Sequence, residues 1–273
     1  MEQERAILYR AENLDNLLVF KANYRKFQFS RHAHEDFALG VMESGAQKFN
    51  CRGENHCALP GSLITVNADE AHDGMSADGN PYLYRIIYIP ITQLQKIGSE
   101  MVSVKGNHYF QKPVTVDGEI ADQLSKIFSL LDQSEVDFLE VHTLFYEMVA
   151  LLLTRHGTSI SQNTRSYRSS AAIDRACDYI NDMARENLSL DQIAAAAGLS
   201  RYHFLRVFNS IKGMTPHSYL LQRRLQLAKE SMSRGVPIAD AALEASFSDQ
   251  SHFSRRFKAA YGITPRQFQK AVC

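Results

Sequence analysis

Ser246-Phe-Ser-Asp-Gln-Ser-His-Phe-Ser-Arg-Arg-Phe-Lys-Ala-Ala-Tyr-Gly-Ile-Thr-Pro-Arg-Gln-Phe268 decides the reading of this chain, because much of it occurs twice. His252, Phe253, Arg255, Phe257, Gly262, Thr264 and Pro265 repeat His203, Phe204, Arg206, Phe208, Gly213, Thr215 and Pro216 at an offset of 49 residues. Just upstream the offset is 48, pairing Ala242 with Ala194 and Ser248 with Ser200, so one residue is inserted between the two matches. Identities held in one register over such a span mark a repeated supersecondary unit.

Each copy reads as a helix-turn-helix. Leu190–Ala197 and Ile238–Ala245 predict short helices whose small residues let another helix approach closely. A tight turn follows, with Ser200 or Ser248 expected as N-cap. In the next helix Phe204/Phe208 and Phe253/Phe257 stand four residues apart, which puts both rings on one buried face. The opposite face then presents Arg201, Tyr202, Leu205, Arg206 and Asn209 in the first copy, and Gln250, Ser251, His252, Ser254 and Arg255 in the second. Arg forks onto guanine, Gln and Asn onto adenine, and an apolar side chain meets a thymine methyl. A single polar stripe is usually just a solvated helix face. Two copies on the same aromatic anchor argue for base readers.

This pattern, together with Arg224-Leu-x-x-Ala228 upstream, resembles the AraC/XylS family of bacterial transcription regulators, from about Ala171 to the end. The resemblance implies a sequence-specific regulator that binds a double-stranded DNA operator in response to a small-molecule effector, with RNA polymerase as a further candidate partner. It also implies that one long helix, about Thr215–Met232, joins the two units. At ~1.5 Å per residue that spacer is roughly 27 Å long, against a B-DNA turn of ~34 Å. Two recognition helices then enter successive major grooves on one side of the duplex, with Lys and Arg elsewhere on phosphates. Ser246 departs from the family, which has Gly in that turn, so Ser246 is expected in a left-handed conformation at a small cost.

Composition agrees with a DNA reader carrying a separate sensor. The chain has 273 residues, enough for two domains, with 45% hydrophobic and 22% charged residues. Its net charge of zero divides unevenly: residues 1–160 hold 14 basic and 21 acidic groups, residues 161–273 hold 16 and 9. A basic half beside an acidic half is a common footprint of nucleic-acid readers. No apolar run approaches the ~18 residues of a membrane span. The acidic start, Met1-Glu-Gln-Glu-Arg-Ala, is not a signal peptide, and a cytoplasmic location is expected. Cys51, Cys57, Cys177 and Cys273 form no Cys-x-x-Cys pair.

The expected fold class is α+β, with a cupin-like β-barrel plus helices over 1–156, a linker over 157–170, and an all-α DNA-binding domain over 171–273. Strands are predicted at Leu18–Tyr24, Phe37–Glu43, Ala46–Cys51, Ser62–Val66 and Leu83–Ile89, punctuated by turns such as Arg52-Gly53-Glu54-Asn55 and Pro60-Gly61. Helices are predicted over Gly118–Asp132 and Val136–Arg155. The second carries an apolar stripe of Val141, Leu144, Phe145, Met148, Leu151 and Leu152, which suggests either a homodimer contact or packing on its own barrel.

His32-Ala-His34, Gly45, Pro60-Gly61 and His72 resemble the cupin-like sensor domain found at the front of many AraC relatives. Strand alternation puts His32 and His34 on one face, where His72 meets them across the barrel. Three imidazoles suit a divalent metal such as Zn²⁺. They equally suit hydrogen bonds to one another, to a loop or to a polar effector. Metal-binding cupins place a carboxylate shortly after the His pair; here Ala38 and Leu39 hold those positions and Glu43 lies further along. That departure argues against an enzyme. The alternative, a cupin enzyme fused to a DNA-binding domain, predicts bound metal and turnover. Arg85, among Tyr82, Tyr84 and Tyr88, is read either as an effector carboxylate ligand or as the partner of Asp69, Glu70 or Asp73. No Gly-rich phosphate loop or nucleophile elbow suggests other chemistry.

Overall fold

The computed structural model describes residues 4–102, 108–133, 137–159 and 167–273. The chain forms two compact units, Met1–Gln28 with Ala33–Ser161, and Phe29–His32 with Gln162–Cys273. The strand Phe29–His32 is nevertheless hydrogen-bonded into a sheet of the first unit and is described there.

The first unit runs β1 (Arg5–Ala11), β2 (Leu17–Tyr24), β3 (Phe29–His32), β4 (Phe37–Ser44), β5 (Gln47–Cys51), β6 (Glu54–Ala58), β7 (Leu63–Val66), β8 (His72–Ser76) and β9 (Tyr82–Ile89). It continues through α1 (Ile91–Met101), β10 (His108–Phe110), β11 (Val114–Thr115), α2 (Gly118–Leu131), α3 (Phe138–His156) and β12 (Gly157–Ser159). One sheet has the order β1-β2-β9-β4-β7-β11 and a second the order β3-β8-β5-β6. The β5–β6 hairpin turns on Arg52 (φ 57°) and Gly53 (φ 80°), the pair of positive φ values that a two-residue turn between twisted strands requires. The Arg52 side chain then holds Glu70 and the carbonyls of Phe110 and Gln111.

Alternation along the large sheet sorts two faces. Val19, Leu39, Val41, Leu63, Ile87 and Ile89 share one core with Ile120, Leu124 and Phe128 of α2 and with α3. The other face carries Phe20, Tyr24, Ala38, Met42, Tyr82, Tyr84 and Ile86, all buried. Helix α3 places Val141, Phe145, Met148 and Leu152 at 0% exposure inside the first core. Leu144 and Leu151 are half-buried against that core, so the apolar stripe is used by its own unit. The exposed positions of α3 are Phe138, Leu139, Glu140, Thr143, Glu147, Thr154 and Arg155, so only the first turn of the helix leaves large apolar side chains uncovered. Of the expected linker, Gly157–Ser159 pairs with β10 and Tyr167 starts the next helix, while 160–166 lie outside the described residues.

The second unit is helical: α4 (Tyr167–Asp182), α5 (Leu190–Ala197), α6 (Arg201–Lys212), α7 (Pro216–Ser233), α8 (Ile238–Glu244), α9 (Gln250–Tyr261) and α10 (Pro265–Val272). The sequence repeat is also a repeat in space. Gly198 (φ 70°) and Ser246 (φ 59°) are both left-handed, 48 residues apart. Each turn is closed by the same pair of bonds: Gly198 and Leu199 donate to Ala195 and Ala194, Ser246 and Phe247 to Leu243 and Ala242. Phe204 lies 5.3 Å from Phe208 and Phe253 5.4 Å from Phe257, all fully buried. Phe208 meets Tyr219 at 5.6 Å, and 49 residues on Phe257 meets Phe268 at 5.7 Å. Arg175 donates to the carbonyl of Ala197 in the first turn. Its counterpart Arg224 reaches Ser246 in the second, and also Ala184 and Glu186. The repeat thus spans α4 to α7 and again α7 to α10, with α7 common to both.

Two capping details differ from expectation. Ser200 occupies the N-cap of α6 without a side-chain cap bond. In the second copy the cap is Asp249, whose carboxylate accepts from the His252 amide, because the inserted residue moves Ser248 one place outside the helix.

Ser246 combines left-handed strain, ordinarily ~1–2 kcal/mol, with a 2.5 Å hydrogen bond from its hydroxyl to the carbonyl of Arg185, worth ~1 kcal/mol. Ser246→Gly should therefore leave stability within about 1 kcal/mol of the parent, while Ser246→Ala should lose about 1 kcal/mol. Urea unfolding of the two variants checks both values.

Candidate nucleic-acid interface and ligand site

The second helices of the two helix-turn-helix units are α6 and α9. Burying the aromatic pair on one side fixes which residues look outward. In α6, Arg201, Tyr202, Leu205, Arg206 and Asn209 are all exposed, Tyr202 at 79%. Arg201 rests 2.5 Å from Asp191, an exposed pair that exchanges readily for a phosphate or base edge. In α9, Gln250, Ser251 and Arg255 are exposed and Ser254 is half-buried.

His252 takes a different place. Its ring packs edge-on against Phe247 at 5.7 Å, Nδ1 lies 3.3 Å from the Ser248 hydroxyl, and Arg256 donates to Nε2 at 3.4 Å. It braces the turn more than it extends outward. His252 was among the expected readers, whereas its register partner His203 was not. The same register exposes one residue that the sequence reading passed over: Lys258, 49 residues after Asn209. Arg206, Asn209, Arg255 and Lys258 therefore form two matched pairs of exposed donors on two helices held in the same way.

In the first unit the inner face of β9 is phenolic. Tyr82 and Tyr84 stack at 5.7 Å, Tyr24 meets Tyr82 at 6.3 Å, and Phe20 meets Tyr84 at 5.9 Å. Burial pushes the Tyr24, Tyr82, Tyr84 and Tyr88 hydroxyls well above the usual phenol range, so they stay protonated at neutral pH. At the Tyr88 end, the His34 ring lies 5.1 Å from Tyr88 and 4.9 Å from His72. One ring nitrogen from each of His32, His34 and His72 lies within 4.8 Å of the others, so the three expected histidines do meet.

Arg85 does not join them. Alternation turns it to the opposite face of β9, where it binds Glu43 at 2.5 Å and Asp132 at 2.7 Å, with the Phe128 carbonyl at 3.2 Å. Neither reading of Arg85 from sequence holds, because Asp69, Glu70 and Asp73 lie elsewhere and its charge is already matched. Glu70 belongs to Arg52, and Asp73 accepts from the Asn50 amide. Burial alone would raise the Glu70 carboxyl, but hydrogen bonds from Arg52 and Asn67 outweigh it and hold the group below the ordinary range. A separate cleft of about 460 Å³ is lined by Phe110, Lys112, Val114, Arg155 and His156, among others. Of its lining cations, Arg155 is paired with Asp117 and Glu119, and His156 lies against Asp117.

A β-rich unit ahead of two stacked helix-turn-helix units defines a class of protein, the DNA-binding regulators with a built-in sensor. Comparison with known proteins agrees. The AraC-like ligand binding domain model matches residues 16–149 and a helix-turn-helix domain model matches 193–271. The chain is 29% identical over 225 residues to YbfI, an HTH-type transcriptional regulator of Bacillus subtilis (strain 168), covering 82% of this chain and 81% of that one. It is 26% identical over 266 residues to the "Probable transcriptional regulator LumQ" of Photobacterium leiognathi, covering 96% of each. The crystal structure of ToxT from Vibrio cholerae O395 shares the fold over 98% of both chains, with a TM-score of 0.56 at 14% identity. The chain belongs to the AraC family of transcriptional regulators, with an N-terminal ligand-binding domain.

Replacing Arg206 or Arg255 by Ala should weaken binding to a selected operator by about 1–3 kcal/mol each and relax base preference at one position. Lys258→Ala should weaken binding to all sequences alike and lower the salt slope by about one. Fluorescence anisotropy over a range of salt concentrations separates the two behaviours.

Proposed function

We propose that this regulator reads two adjacent major-groove segments on one face of DNA, through α6 and α9 of a single chain. The observation that carries the reading is the match between Arg206 and Arg255, exposed at the same register on helices with the same buried aromatic pair. Arg201, Tyr202, Leu205 and Asn209 contact the first segment; Gln250, Ser251, Ser254 and Lys258 contact the second. Basic groups elsewhere in 161–273, where 16 cations face 9 anions, engage phosphates.

The effector site in this reading is the inner face of the first unit, where phenols and imidazoles border buried apolar residues. Such a lining accepts a molecule with an apolar body and a polar group that takes hydrogen bonds from Tyr and His. His32, His34 and His72 border it, whereas Arg85 is held by Glu43 and Asp132 on the opposite face of β9. A non-enzymatic role is supported by Ala38 and Leu39, which supply no carboxylate, and by Glu43, which is held by Arg85.

The stretch 157–170 acts as the connection between a sensor over 1–156 and a reader over 171–273. An effector that binds one arrangement of the chain better than another shifts the balance toward it. RNA polymerase is the partner through which such a shift changes transcription, and a cytoplasmic location follows from acting on DNA. A homodimer would add avidity by joining two readers.

Operator selection followed by hydroxyl-radical footprinting tests the DNA reading. Two protected segments about one helical turn apart on the same face are expected; a single protected segment overturns it. A thermal-shift screen, in which a native-state ligand raises the melting temperature, identifies the effector, and phenol-to-phenylalanine changes at Tyr84 or Tyr88 should reduce that shift.

A further inference from the structure

The cleft at the end of α3 shares no lining residue with the inner face of the first unit. Its volume of about 460 Å³ falls within the roughly 300–1,000 Å³ of small-molecule sites. One wall is the stretch from Phe110 to Val116; the other is the end of α3 with β12, through Arg155, His156 and Thr158.

Both walls are held from behind. Phe110 pairs with Gly157 in the β10–β12 ladder and stacks on Phe37 at 4.5 Å. Val114 and Thr115 pair with Ile64 and Leu63 of β7. The carbonyls of Phe110 and Gln111 accept from Arg52, and those of Lys112 and Pro113 accept from Thr65. With its backbone acceptors satisfied elsewhere, this wall offers the cleft its side chains.

Those side chains divide by chemistry. Phe110 is buried and Val114 half-buried, while Val116 is 84% exposed, a large apolar group left in water. Lys112 is exposed and has no acidic partner among the described residues. Arg155 splits its guanidinium between two carboxylates. Nη1 lies 3.0 Å from Asp117, which also holds His156 at 2.9 Å and accepts from the Ile120 amide. Nη2 lies 2.5 Å from Glu119, whose side chain is 56% exposed. An exposed pair of this kind is worth little and exchanges readily.

We propose that the cleft binds a small organic monocarboxylate with an apolar body, its carboxylate between Lys112 and the Nη2 arm of Arg155 and its body on Phe110, Val114 and Val116. The carboxylate takes charge-assisted bonds from both cations, and Glu119 returns to water at little cost. Asp117 stays in place and keeps Arg155 aimed. The body removes Val116 from water. Asp117 and Glu119 stand beside the same guanidinium, so a dianion such as phosphate is repelled where a single charge is accepted. The inference is independent of the inner-face effector site, because no residue is common to both.

The test uses full-length protein with ¹³C-methyl valine and benzoate as the probe, at constant ionic strength. The ring should shift the Val114 and Val116 methyl signals saturably. Benzamide, which lacks the charge, and inorganic phosphate at pH 8 should not. Lys112→Glu should lower benzoate affinity at least tenfold, whereas Lys96→Glu, at an exposed position of α1, should leave it unchanged. Glu119→Gln should raise it, since it frees the Nη2 arm. Tyr88→Phe, which alters only the inner face, should not change it. Absence of saturable shifts at Val114 and Val116, equal shifts with benzamide, or benzoate affinity unchanged in Lys112→Glu overturns the proposal. Benzoate binding lost in Tyr88→Phe and kept in Lys112→Glu places the probe on the inner face and also overturns it, leaving the effector site standing.

Discussion

Helix α7 is packed into two cores at once. At its start Tyr219 closes against Phe208 of the first helix-turn-helix unit. Further along, Leu225, Ala228 and Met232 are buried where the second unit begins. Arg224, on the same helix, spreads its guanidinium over the carbonyls of Ala184, Glu186 and Ser246. Only a planar fork with several donors reaches three acceptors in this way, and a lysine would not replace it. The consequence is mechanical: neither recognition helix moves without the helix that also holds the other, so the separation of the two reading heads is a property of one 18-residue helix.

Equal scaffolding does not mean equal reading. At matched register the first copy presents Arg201, Tyr202, Leu205, Arg206 and Asn209, and the second Gln250, Ser251, Ser254, Arg255 and Lys258. One arginine is common; the rest differ in size, charge and apolarity. In the proposed reading a target that satisfies both helices is asymmetric, and binding fixes the direction in which the chain lies along the duplex. The exposed Tyr202 and Leu205 give the first helix apolar contact area that the second lacks. The second has a lysine at the position of Asn209, which adds charge without base preference.

Much of the helical unit was legible in sequence, because a repeat fixes register twice. Helices α5 and α8 and the buried phenylalanine pairs follow from that register, while the left-handed Ser246 follows from the family resemblance, which puts Gly in its turn. The cap of α9 was misread because the inserted residue sits at that junction and lets Asp249 take over. In the first unit, strands with a clear apolar signal, the continuous run of β4 and the alternation of β9, were readable. The edge segment β6 was not, since its polar residues bury almost nothing, nor was the short β3, whose partner β8 lies about forty residues on. The histidine cluster was read from spacing plus resemblance. Arg85 was placed wrongly because neighbouring tyrosines in sequence lie on the other side of a strand. Helix α3 was read as an apolar stripe, but sequence alone gave no account of how much of it the α2 contact and the sheet consume.

The central claim is that one chain holds two recognition helices at a fixed spacing along one face of DNA. Inserting five base pairs between the two halves of a selected operator turns the second half to the opposite face, half a helical turn away. The account predicts that affinity falls to that of an operator in which one half has been scrambled. Affinity unchanged by the insertion would contradict it, because the two heads would then be reading independently of the helix that joins them.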